Sequence, residues 1–174
     1  MSDGIRTRDR RDHNPELYQL SYAHQADPNL AGQAYSALRV AERNVDIVRS
    51  AIEAFNRGDV EAVLAVASED IEVYTSRDMA NAGRFRGHAG FLDWLTQWLE
   101  AWDEFTVVLL DVETIDDRHV LATARQAGRG ALSGIEIDME VAQLFEIDRD
   151  GQIVRFQLHQ HREDALAEVG SGAG

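Results

Sequence analysis

The chain contains no cysteine, no lysine, only two prolines and no long apolar run. Each absence removes a class of protein. Without cysteine there are no disulfides, no thiolate nucleophile and no thiolate metal site. The longest uncharged apolar stretches, such as Thr106 to Leu110, are strand-sized, far below the ~20 residues of a membrane helix. An arginine-rich, polar N-terminus stands where a secretory signal would place an apolar segment. These features lead us to expect a soluble, cytoplasmic protein with no membrane association. A phosphate-binding glycine loop is also missing, because Gly128-Arg129-Gly130 lies between strands and opens no helix.

What is present is acidic. All 17 basic residues are arginine, a bias that a GC-rich bacterial genome explains, and the net charge is −14. From Arg43 onward, 12 arginines face 25 acidic residues, a net of about −13. Such a surface repels phosphate backbones, so no nucleic-acid partner is expected. With 44% hydrophobic residues in 174, the chain can build one core.

The segment Gly4 to Gln25 has no usable periodicity. Gly4-Ile5-Arg6-Thr7 back-translates to GGG ATT CGA ACC, the complement of conserved T-arm bases of a transfer RNA gene. Leu17 to Tyr22 back-translates to the complement of the D-arm bases, in antisense order. We read residues 1–40 as a disordered, non-native extension from a misassigned start, the authentic start lying near Val40. The alternative is a native disordered tail. Asp27-Pro28-Asn29 and Gly32 read as loop.

From Asn44, an N-cap candidate, Val45, Val48, Ile52 and Phe55 recur on one helical face. Gly58 stops that helix, and Asp59 caps a second one carrying Val60, Val63, Leu64 and Ala67. Ile71 to Thr75 reads as a strand, Asp78 to Gly83 as a loop and Arg84 to Arg86 as a short strand. Gly87-His88 opens a third helix reaching about Trp102. Four strands follow: Phe105 to Thr114, His119 to Gln126, Ile135 to Ile147 and Gln152 to His161. A DRDG turn, Asp148 to Gly151, joins the last two. A short helix, Arg162 to Val169, closes a domain spanning 41–170, with 171–174 a frayed tail. Helices segregated from strands predict the α+β class.

Three segments carry a family resemblance: FNRGDVEAVLAVASEDIEVY (55–74), FRGHAGFLDWL (85–95) and VAQLFEIDRDGQIVRFQLH (141–159). They resemble the SnoaL-like branch of the nuclear transport factor 2-like, or ketosteroid isomerase-like, superfamily. The resemblance implies a curved antiparallel sheet wrapped around helices, a cone-shaped roll with an internal cavity, and a homodimer through the outer sheet face. It does not imply one reaction, because the scaffold hosts isomerases, cyclases, dehydratases, hydrolases and non-catalytic binders.

Steroid-isomerase-type members use a first-helix tyrosine, an aspartate base and a protonated late-strand aspartate. Ala51, Thr75 and Gln143 match those positions, and none can do the original work, although Gln143 can donate a hydrogen bond. The Asp-Arg-Asp relay of epoxide-hydrolase-like members also fails: Arg125 matches the arginine, but Leu158 and Ala127 stand at the acids. The remaining polar candidates for the cavity are Tyr74, Arg125, Gln143 and Gln160. Gln143 is the foremost, an amide among Met139, Val141 and Phe145 that is costly to bury without a partner. Its bland alternative is a core glutamine bonded to Tyr74 or backbone; for Arg125 it is an ion pair with an acid such as Glu140 on a neighbouring strand. Trp94 and Trp98, in a helix stripe with Phe91, Leu95 and Trp102, and Phe156 and Leu158 on the last strand complete the expected lining. His159 and His161 share a strand face but lack a third ligand, so we expect them on the outer face and expect no metal and no cofactor. His88 is expected in a local capping role.

The sequence thus points to binding of a small apolar molecule, with catalysis not indicated. The alternatives are an isomerase, cyclase or hydratase acting on a polyketide- or steroid-like substrate, and a non-catalytic dimerisation module.

Overall fold

The computed structural model describes residues 28–79 and 81–171. The transfer-RNA-like stretch, Asp27, Ala80 and residues 172–174 lie outside the described residues. The chain divides into two compact units, Met1–Ser36 and Ala37–Gly174. The sheet and every residue of the cavity belong to the second.

Helix α1 runs Pro28–Asn56 and α2 runs Val60–Val66. The expected loop at Pro28-Asn29 and Gly32 is therefore corrected, as is disorder over residues 28–40. Proline suits a first helical turn, where its missing N–H has no partner to lose, and alanines at 31, 34, 37 and 41 favour the helix. The apolar periodicity was weak there because this stretch exposes its large residues: Leu30, Tyr35 and Leu38 all face solvent. Asn44 is not an N-cap. It is buried inside α1, where its Nδ2 donates to the Asp117 carbonyl at 3.1 Å, tying the helix to the β3–β4 turn.

Gly58 ends α1 with φ +69°, a left-handed value that glycine adopts without strain. Asp59 then caps α2, its side chain accepting from the Ala62 N–H. Ala67 leaves that helix and opens β1, Ala67–Thr75, which is followed by β2, Gly83–Arg86, and α3, Gly87–Ala101. The four later strands are β3 (Trp102–Thr114), β4 (His119–Gly130), β5 (Glu136–Ile147) and β6 (Ile153–His159), closed by α4, Arg162–Ser171. At the DRDG turn, Asp148 Oδ1 accepts from the N–H groups of Asp150 and Gln152, and Gly151 takes φ +88°.

The class is α+β, with one six-stranded open sheet in the order β2-β1-β6-β5-β4-β3. It is mixed where an antiparallel sheet was expected. β1 runs parallel to β6 while every other pair is antiparallel, which the long connection between those two strands permits. One face packs on Val48, Ala51 and Ile52 of α1 and on the α3 aromatics, forming the main core. On the other face, Ala165, Leu166 and Val169 of α4 cover Leu121, Ala142 and Leu144. Among the described residues no helix is long and apolar enough to cross a membrane.

Candidate ligand cavity

Register decides which residues reach the interior. The paired positions Val73↔Phe156, Thr75↔Leu158, Gln143↔Leu158, Phe145↔Phe156, Ala122↔Gln143 and Val107↔Gln126 place all these side chains on the core face. Between that face and helices α1 and α3 lies a cavity of about 70 Å³. Its aromatic wall comes from Phe91, Trp94, Trp98, Phe105, Phe145 and Phe156; Ala51 and Ile52 line it from α1. Among the described residues, Gln126 and Gln143 are its only polar lining residues, and no ionisable side chain lines it.

The wall is ordered by ring contacts. Trp94 and Trp98 stack at 6.0 Å, and Trp98 meets Phe105 edge-on at 5.3 Å. Trp94 Nε1 donates to Thr75 Oγ1 at 2.9 Å. This bond uses the Thr75 hydroxyl as a structural acceptor. Asn56, at the end of α1, bonds both backbone groups of Val107: its Nδ2 donates to the carbonyl at 2.7 Å and its Oδ1 accepts from the N–H at 3.3 Å.

Of the expected lining, Trp94, Trp98, Gln143, Phe156 and Leu158 meet at the cavity, and Ala51 joins them. Three expectations are corrected. Tyr74 points to the opposite face, its ring 5.6 Å from His159 and capped by the Arg84 guanidinium at 4.7 Å. It neighbours the inward Val73 and Thr75, so alternation turns it outward. Arg125 also faces out, and it forms the alternative expected for it, an ion pair with an acid of the neighbouring strand, here Asp138. Each holds the other's ionised form: Asp138 hydrogen bonding raises the Arg125 pKa, and Arg125 lowers that of Asp138. Gln160 lies beyond the end of β6 and does not line the cavity.

Gln143 is buried, and among the described residues its side chain has no hydrogen-bond partner, so it is bonded neither to Tyr74 nor to backbone. Gln126 was not anticipated. It is 3% exposed, and its Oε1 is buried without a partner among the described residues. His159 lies on the outer face as expected, but α4 makes it a buried residue. Burial lowers its pKa, with Glu168 and Asp164 of α4 opposing, and Nε2 donates to Gln157 Oε1 at 3.2 Å. His88 does not cap its own helix; its Nε2 donates to the Ala67 carbonyl at 3.1 Å. Among the described residues no group of three or more His, Cys, Asp or Glu side chains is placed to hold a metal.

The model of the SnoaL-like domain family matches residues 48–156. The chain belongs to that family. Solved structures agree with the SnoaL-like fold. A protein with a cystatin-like fold from Xanthomonas campestris is 25% identical, with TM-score 0.61, covering 70% of this chain and 95% of its own. A candidate polyketide cyclase from Xanthomonas campestris pv. campestris is 26% identical, with TM-score 0.56 and coverages of 75% and 98%. TerC, co-crystallised with polyporic acid, is 18% identical, with TM-score 0.61 and coverages of 72% and 96%. No curated protein matches by sequence.

Proposed function

We propose that this SnoaL-like protein binds a small, mainly apolar molecule in the cavity and that the lining residues perform no acid–base chemistry. The observation that carries this reading is the lining itself: an aromatic wall with two neutral amides and no group that titrates near neutrality. Size limits the ligand. At about 70 Å³ the space is well below the roughly 150 Å³ of a cavity that takes up benzene, so a ring enters only as the aromatic wall yields. The unfilled space supports this reading over a dimerisation module with a packed interior.

The test is titration with phenol and toluene, read by amide NMR shifts of lining residues. Shifts are expected in the wild type and should disappear in Ala51→Leu, which fills the space, while Arg125→Ala on the far face leaves them unchanged. Absence of any shift in the wild type overturns the binding reading.

A second reading, an isomerase, cyclase or hydratase that works by positioning and hydrogen bonding through Gln143, draws support from the name of the polyketide cyclase relative. We also propose a homodimer through the part of the outer face that α4 leaves open, where Val108 and Leu110 are exposed. A monomer in sedimentation equilibrium at high concentration overturns it.

A further inference from the structure

We propose that the Gln126 amide is the polar anchor of the cavity and selects a ligand carrying a hydroxyl group. This inference rests on the binding reading above. Gln126 projects from β4 opposite Val107, which like Gln126 lines the cavity. Its Oε1 is sealed from solvent and, among the described residues, has no hydrogen-bond partner. Leaving such an acceptor unsatisfied in an apolar site forfeits the solvation it had in water. A core position gains nothing from that cost, whereas a binding site recovers it when a donor arrives.

The surroundings define the donor. Phe105 and Val107 flank this end of the cavity, and no cation or carboxylate lines it, so a charged ligand group would be buried without compensation. A neutral hydroxyl is compact and can donate to Oε1 or accept from the amide nitrogen. Trp102 Nε1 is also buried without a partner among the described residues, and its ring stacks on the lining residue Phe105 at 6.0 Å. Gln126 is distinct from Gln143, whose strand partner on β4 is Ala122, four residues away. The cavity therefore has two amides at separate places; the Gln126 oxygen is fully enclosed, so a ligand hydroxyl reaches it only as the wall yields.

The experiment compares phenol with toluene, near-isosteric probes that pay the same steric cost of entry, in the wild type, Gln126→Leu and Gln143→Leu proteins. Dissociation constants are measured by NMR titration, with circular dichroism confirming that each variant folds. Gln126→Leu is expected to move the phenol-to-toluene affinity ratio about tenfold or more toward toluene. Gln143→Leu should move it less. An unchanged ratio in Gln126→Leu, with both probes still binding, overturns the anchor role and leaves the cavity reading standing. Failure of both probes to bind the wild type overturns the two together.

Discussion

The two faces of the sheet differ in chemistry more than in packing. The concave face holds the cavity and has no charge on its lining. The convex face carries the ion pairs: Arg155 with Glu72 and Glu146, Arg118 with Glu146, and Arg162 with Glu113. It also holds Tyr74 and His159, the side chains that would otherwise suggest catalysis. Tyr74 and His159 thus lie on the face opposite the cavity. The resemblance matches Ala51, Thr75 and Gln143 to the tyrosine and two aspartates of isomerase-type members, and the Thr75 hydroxyl is engaged by Trp94.

The comparison can be broken most forcefully from the concave side. Trp98→Ala removes a ring 2% exposed that contacts Trp94, Trp102 and Phe105. A loss of about 3–5 kcal/mol in urea unfolding is expected, since a large cavity opens in the aromatic wall. A loss below 1 kcal/mol would mean that the wall is not the packed core described. Thr75→Val is nearly isosteric but strands the Trp94 N–H, and should cost about 1–3 kcal/mol by the same assay. Full stability would show that the hydroxyl is free for another role. On the convex side, the effect is a dependence on pH. Burial lowers the His159 pKa from 6.5, so the folded state takes up this proton less readily than the unfolded state. Its neutral form carries no penalty above that value, and stability should fall as pH drops through and below it. His159→Gln should flatten this part of the profile, measured as the urea midpoint between pH 5 and 8. An identical slope in both proteins would contradict burial of the imidazole beneath α4.

Much of the fold was legible because its signals are local. Gly58, Asp59 and the DRDG turn mark their boundaries by backbone chemistry, and the strands from β3 onward show as β-rich runs. Within β5, alternation through Val141, Gln143 and Phe145 identified the inward face. The failures came where alternation was masked. Strand β4 is apolar on both sides, with Ala122 and Ala124 facing the core and Leu121 facing α4, so nothing local distinguishes Arg125 from Gln126. The parity of β5 could have resolved it: Glu140, opposite Arg125, lies on the face away from Gln143, so Arg125 points outward. Asn44 was misread because a capping preference says nothing of the distant Asp117 carbonyl it bonds.

Asn56 gives the edge of the sheet a particular character. By bonding both backbone groups of Val107, its amide occupies the place that a neighbouring strand would take. Strand β3 also carries Asp103, Glu104, Asp111 and Glu113, while the opposite edge, β2, is only Gly83–Arg86 and bears two arginines. A foreign strand approaching either border finds a side chain already seated or charge along its path. Growth of the sheet by addition of strands from other copies is thereby discouraged, which helps an open six-stranded sheet remain within a single chain.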